Sequence, residues 1–294
     1  MISRLLAAAI LLAGASPVAA QADEQALSVE PVTIGETLTL KSAIMNQQRR
    51  ISVYLPSGYA TSDKSYPILY LIDGGTEQDY LHIAGTTLLN ALWGRSREVI
   101  VIGVETQDRR AELIGETAST SLREEYPTAG HSAQFRRFIR DEVMPLAQAR
   151  YRGNGTRGVI GESLAGLFIV EAALEEPDLF QHHAAISPSL WWDDERLSRR
   201  AADLLAKQHG GPNLYLTIAN EGGEMQVGYD RLVDALGSQA PASSDGWCAI
   251  PRADLTHGTI YHAMSPQALQ FLFPAPPSDY EIEGFEPPCA SSAD

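Results

Sequence analysis

Val159-Ile160-Gly161-Glu162-Ser163-Leu164-Ala165-Gly166-Leu167-Phe168 is the stretch that decides the fold. A short apolar strand runs into a Gly-x-Ser turn, and a helical run leaves it without a gap. This is the pattern of a nucleophile elbow, a turn so sharp that the Ser side chain stands free at the C-terminal edge of a sheet, above the start of a helix. Gly161 and Ala165 are small because strand and helix backbones nearly touch there. Ala165 stands where a second Gly is usual, with Gly166 one place later, and one added methyl is compatible with the turn.

Outward from the elbow, strand and helix patterns alternate. Val29 to Leu40 and Arg50 to Pro56 read as antiparallel strands that begin the sheet. Ile68–Ile72 and Val99–Val104 are continuous apolar runs of the kind buried on both faces. Between them Tyr80 to Trp93 reads as a helix, and Phe135 to Ala149 is amphipathic. After the elbow come strands at 184–187, 214–219 and 248–253, and helices at 194–207, 225–236 and 267–273. The alternation predicts an α/β fold with a mostly parallel central sheet and helices on both faces. The polar segment from Glu105 to His131 is a long connection of the sort that shapes a site.

Residues 1–20 read as a cleavable signal peptide: Arg4, an apolar run over Leu5 to Ala13, and the small residues Val18-Ala19-Ala20. The apolar run is too short to span a bilayer as a helix. One domain is expected over 21–273, followed by a Pro/Ser/Glu-rich tail at 274–294. Export to a periplasm, or secretion, is therefore expected. The formal net charge of -15 argues against nucleic acid and anionic lipid as partners. The only two cysteines, Cys248 and Cys289, permit one disulfide in an oxidising compartment. No Cys/His spacing suggests a metal, and no Gly-rich phosphate loop suggests a nucleotide.

Ser163 needs a base and an orienting carboxylate, which in chains with this elbow follow in the order Ser, acid, His. Of seven histidines, His257 lies just beyond the last strand, at the sheet edge that carries the elbow. His262 is the reserve. The acid belongs in Asn220-Glu221-Gly222-Gly223-Glu224. Glu224 is preferred because the two glycines let the chain turn back, and Glu221 is its rival; Asp230 and Asp254 are weaker. An oxyanion needs two fixed donors. One is the Leu164 N–H, and the other is expected from the loop after Ile72, at Gly74, Gly75 or Thr76.

Taken together, several stretches resemble the esterase D-like family of α/β-hydrolases, which includes siderophore (enterobactin-type) esterases, feruloyl esterases and mycolyltransferases. They are Arg50–Pro56, Leu69–Gly74, Val99–Glu105, Phe138–Glu142, Gly161–Leu167, Ser187-Pro188-Ser189-Leu190-Trp191-Trp192 and Thr256-His257-Gly258. The likeness spans about Ser42 to Phe273 and is strongest to the exported siderophore-esterase branch. It implies Ser163 as nucleophile, His257 as base and an acid in the Glu221/Glu224 loop, with no metal or organic cofactor. Trp191 and Trp192 are expected along the acyl or aryl side of the pocket, and Arg109 at its rim. Where the family has a further Arg and then Thr-Pro, this chain has Ala111, Ile114 and Gly115. The expected activity is hydrolysis of a small-molecule carboxylic ester through an acyl-enzyme. The alternatives are acyl transfer of the mycolyltransferase type and a catalytically silent ligand-binding homologue.

Overall fold

Eight strands form one sheet in the order β1-β2-β4-β3-β5-β6-β7-β8. The computed structural model describes residues 28–208, 211–239, 246–276 and Cys289. The expected leader and most of the tail lie outside the described residues. The strands are β1 (Glu36–Ser42), β2 (Gln47–Tyr54), β3 (Tyr66–Ile72), β4 (Ile100–Val104), β5 (Gly153–Glu162), β6 (His182–Ile186), β7 (Asn213–Ala219) and β8 (Trp247–Arg252). The helices are α1 (Tyr80–Leu92), α2 (Arg109–Leu113), α3 (Thr120–Glu125), α4 (Ser132–Phe138), α5 (Met144–Arg150), α6 (Leu164–Glu175), α7 (Trp192–Leu205), α8 (Gly223–Gln239) and α9 (His257–Leu272). From β4 to β8 every neighbouring pair is parallel, and only β1 and β2 are antiparallel additions at one edge.

Burial follows the sequence pattern. Every residue of β3 and β4 is buried, as two-faced packing requires, whereas β1 alternates at the edge. One apolar layer gathers Phe135, Phe138, Phe168 and Leu232 on one face of the sheet. The other gathers Leu69, Ile83, Ile160, Tyr215, Met264 and Leu269. Cys248 in β8 is disulfide-bonded to Cys289, with Cα atoms 6.0 Å apart, which fixes one point of the tail against the last strand. Among the described residues no helix is long and apolar enough to cross a membrane.

Several stretches differ from the sequence reading, and four of them have a clear local reason. β1 starts at Glu36 rather than Val29; Val29 and Val32 are more than nine-tenths exposed. The connection from Glu105 to His131 is not bare loop but holds α2 and α3, capped by Asp108 and Ser119. The 135–149 helix begins at Ser132 and carries a π turn at Ile139–Val143, just before Pro145, whose ring cannot donate to the carbonyl four residues back. The last helix begins ten residues early, at His257. Thr256 and Thr259 form a reciprocal capping box, and Pro266 is accommodated inside the helix instead of starting it.

Candidate active site

Ser163 is the N-cap of α6 and sits at φ 61°, ψ -117°, a strained conformation for a residue with a side chain. The turn is fixed by three main-chain bonds. Ser163 N–H donates to Ile186 O (2.9 Å), and its carbonyl accepts from Leu167 N–H (2.9 Å) and Ser189 N–H (3.0 Å). The need for Gly161 is steric: a Cβ there would lie 2.6 Å from the Ala165 Cβ. The Ser163 hydroxyl is 3.3 Å from that of Ser189.

The ends of β6, β7 and β8 bring the other groups to this same edge. His257, the first residue of α9, is held through Nδ1 by Glu221 Oε1 at 2.7 Å. Glu221 follows β7, and its carboxylate also accepts from Ser187 Oγ at 2.8 Å. Ser187 itself has φ 40° and accepts from Ala219 N–H, so the end of β7 and the β6 turn fix the carboxylate together. With Nδ1 committed, the other ring nitrogen of His257 is left for a substrate-side proton. Ser163, His257 and Glu221 line one open cavity of about 370 Å³, shared with Arg109, Tyr126 and Trp191. Glu224, preferred on sequence grounds, is exposed in the first turn of α8 and lines a separate hollow with Asp193 and Asp194. Gly222 and Gly223, which separate the two glutamates, both have positive φ.

Gly74 and Gly75, two of the three positions expected to give the second oxyanion donor, have acceptors of their own. Gly74 N–H donates to Val104 O (2.9 Å) and Gly75 N–H to Gln78 Oε1 (3.0 Å), so both donors are engaged. Neither residue lines the cavity with Ser163. Gly74 is glycine for another reason, because a Cβ there would fall 2.3 Å from Gly103 Cα on the neighbouring strand. Leu164, the first residue of α6, has no intrahelical acceptor for its N–H. The Trp pair also divides. Trp191 faces the cavity, while Trp192 is buried, donates its indole N–H to Gly115 O (3.1 Å) and packs α7.

Arg109 is placed by charge. Its Nε lies 2.5 Å from Asp73, whose carboxylate is almost fully buried and also accepts from Thr106 Oγ1; a second guanidinium nitrogen reaches Glu162 O at 3.3 Å. Arg110 lies over the Tyr126 ring at 5.0 Å. Behind the elbow, burial pushes the Glu162 carboxyl up to about 7, a rise that nearby His257 opposes. Burial, with the Asp73 charge adding to it, takes Asp79 up to about 6. Sequence reasoning gave no role to Ser187, Ser189, Tyr126 or Met225. The first two lie in Ser187-Pro188-Ser189, a turn directly after a strand that ends at the active edge, and that position was the available signal.

Comparison with known proteins agrees with this architecture. The model of the Esterase family, described as "Putative esterase", matches residues 42–244. The Ferri-bacillibactin esterase BesA of Bacillus subtilis (strain 168) is 30% identical over 178 residues, covering 53% of this chain and 60% of that protein. The Iron(III) salmochelin esterase of Escherichia coli O6:H1 is 28% identical over 174 residues, covering 56% of this chain and 38% of that protein. The chain thus spans less than two thirds of the length of these two relatives. The crystal structure of an IroE-like serine hydrolase from Shewanella oneidensis superposes with a TM-score of 0.72 at 24% identity, covering 81% of this chain and 80% of that one. That likeness is one of fold. The family match, by contrast, takes in well over half of the sequence and both flanks of the elbow: the chain belongs to the Esterase family and is a carboxylic-ester hydrolase on an α/β-hydrolase fold.

Proposed function

We propose that this protein is an exported serine esterase in which Ser163 attacks the ester carbonyl, His257 takes its proton and Glu221 holds the imidazole. The observation that carries the reading is the cavity shared by a strained Ser163 and an imidazole whose Nδ1 is bonded to Glu221. In the productive arrangement the Ser163 hydroxyl exchanges Ser189 for the free nitrogen of His257. The carbonyl oxygen gathers negative charge and is met by the Leu164 N–H. Protonated His257 returns its proton to the departing alcohol, leaving an acyl group on Ser163 Oγ. Water, deprotonated by His257, then releases the acid. Glu221 keeps the imidazole in the tautomer with Nδ1–H and offsets its charge when protonated.

The cavity wall favours a flat, acidic acyl part. Arg110 supplies positive charge at the rim, where the Arg109 charge is offset by Asp73, and Tyr126 and Trp191 supply aromatic faces. With the names carried by BesA and the salmochelin esterase, this supports a siderophore ester as the natural substrate class. Export rests on the leader at 1–20 and is in keeping with the Cys248–Cys289 disulfide. The test is a substrate panel with the mature protein: a short p-nitrophenyl ester, a feruloyl ester and a catechol-bearing siderophore lactone. The expected result is the highest kcat/KM on the catechol-bearing ester, with all turnover lost in Ser163→Ala. A preference for the neutral short ester would remove the substrate reading. Turnover retained by Ser163→Ala would remove the mechanism, and transfer of the acyl group to an added alcohol in preference to water would favour acyl transfer.

A further inference from the structure

Helix α1 buries one face, Tyr80, Ile83, Ala84, Thr87 and Asn90, against the body of the protein. Its opposite face should be polar, and it is not. Leu81, Gly85, Leu88 and Leu92 follow one another at spacings of four, three and four, which puts them on one outward stripe. The three leucines are 52%, 44% and 74% exposed, and the flanking Leu89 and Trp93 are 55% and 61% exposed. None of the thirteen residues of α1 carries a formal charge, in a chain of net charge -15. A heptad stripe of leucines is the pattern by which one helix receives another.

We propose that two copies of this protein pair through α1, antiparallel about a two-fold axis between Thr86 and Thr87. Three observations make a second copy the occupant. The first is shape. About that axis Leu81 meets the other copy's Leu92, and Leu88 meets the other copy's Gly85. A Cβ built on Gly85 meets nothing within 4 Å among the described residues, so the space over it can receive a leucine. Large-to-small matching across a symmetric seam is self-complementary, as an isologous contact requires.

The second is charge. Glu77 precedes α1 and Arg95 follows it; both are exposed, and neither has an ion-pair partner among the described residues. The antiparallel pairing brings Glu77 of each copy beside Arg95 of the other, twice per dimer. The neutral stripe between them is also where two acidic molecules approach with least repulsion. The third is area. The five exposed apolar side chains present roughly 500 Å² per copy, so two copies bury about 1,000 Å², the lower bound of a specific interface. A lipid surface is the weaker fit, because interfacial helices flank their apolar face with cations and α1 has none.

The test is sedimentation equilibrium of the mature chain over a wide concentration range, beside the same measurement on surface variants. The wild type is expected as a reversible dimer. Leu88→Glu should be monomeric, with thermal stability and esterase turnover intact. Gly85→Leu, which fills the receiving gap while improving helix propensity, should also dissociate the pair. Glu77→Arg and Arg95→Glu should each weaken association about three- to tenfold, and the double reversal should restore it. A wild type that is monomeric throughout, a dimer indifferent to Leu88→Glu, or a double reversal no better than either single change would overturn the proposal. So would a monomer that binds vesicles of neutral phospholipid through α1.

Discussion

Glu221, just after β7, and Glu224, in the first turn of α8, stand three residues apart, and the mechanism assigns the chemistry to the first alone. Glu221 accepts from the imidazole at 2.7 Å and from Ser187 at 2.8 Å, and its side chain is about one-tenth exposed. A hydrogen bond between the carboxylate and an imidazole that becomes charged contributes about 1.5–3 kcal/mol, and at 1.36 kcal/mol per decade that is roughly 10- to 150-fold in rate. The His257 side chain is 44% exposed, so water can replace part of the lost acceptor, and the lower half of that range is expected. Glu221→Ala should therefore lower kcat and kcat/KM together by roughly 10- to 50-fold on a p-nitrophenyl ester, with KM little changed. Glu221→Gln keeps an acceptor for Ser187 and His257 but loses the charge, and should fall between the wild type and Glu221→Ala. Glu224→Ala should stay within about twofold of the wild type, since that side chain faces a different hollow. A larger loss from Glu224→Ala than from Glu221→Ala would refute the assignment.

Other consequences follow from the packing around the site. Burial raises Glu162 to about 7 and Asp79 to about 6, so these carboxyls favour the folded state in their neutral form. Their contribution is complete below the unfolded carboxylate range and is lost as pH rises toward about 7. Glu162→Gln should flatten the fall in Tm between about pH 5 and pH 8, and an unchanged slope would contradict the assignment. Arg49 and Glu112 form a pair whose side chains are 0% and 3% exposed. Arg49→Met alone should cost about 3–5 kcal/mol in a urea titration by stranding Glu112, whereas Arg49→Met with Glu112→Leu should recover most of it. Gly161→Ala should cost about 1–3 kcal/mol through the clash with Ala165, and adding Ala165→Gly should restore the Tm.

Much of the fold was legible because burial on both faces leaves an unmistakable pattern. The runs at Ile68–Ile72 and Val99–Val104 have no polar face, and a strand flowing into a helix at Gly161-Glu162-Ser163 has few other meanings. His257 was legible by position, but its setting was not. Pro266 reads as a helix boundary, and only the Thr256/Thr259 capping box, formed once the chain is folded, shows that the helix starts at His257. The choice between Glu221 and Glu224 depended on where two positive-φ glycines send the chain, and glycine does not encode that direction. Gly74 and Gly75 are expected as oxyanion donors because paired glycines suit close approach. The close neighbour of Gly74 is the β4 backbone at Gly103, a contact between strands distant in sequence. The leucines of α1 were read only as a helix, since a stripe facing outward and a stripe facing the core look alike until the sheet is in place.

The central claim is that one hydroxyl, Ser163, is the nucleophile. Intact-mass analysis after treatment with a fluorophosphonate, followed by peptide mapping, tests it most directly. The account predicts one adduct per chain, on Ser163, forming far more slowly in His257→Ala and absent in Ser163→Ala. An active enzyme labelled at another residue, or one that resists labelling while it hydrolyses esters, would contradict it.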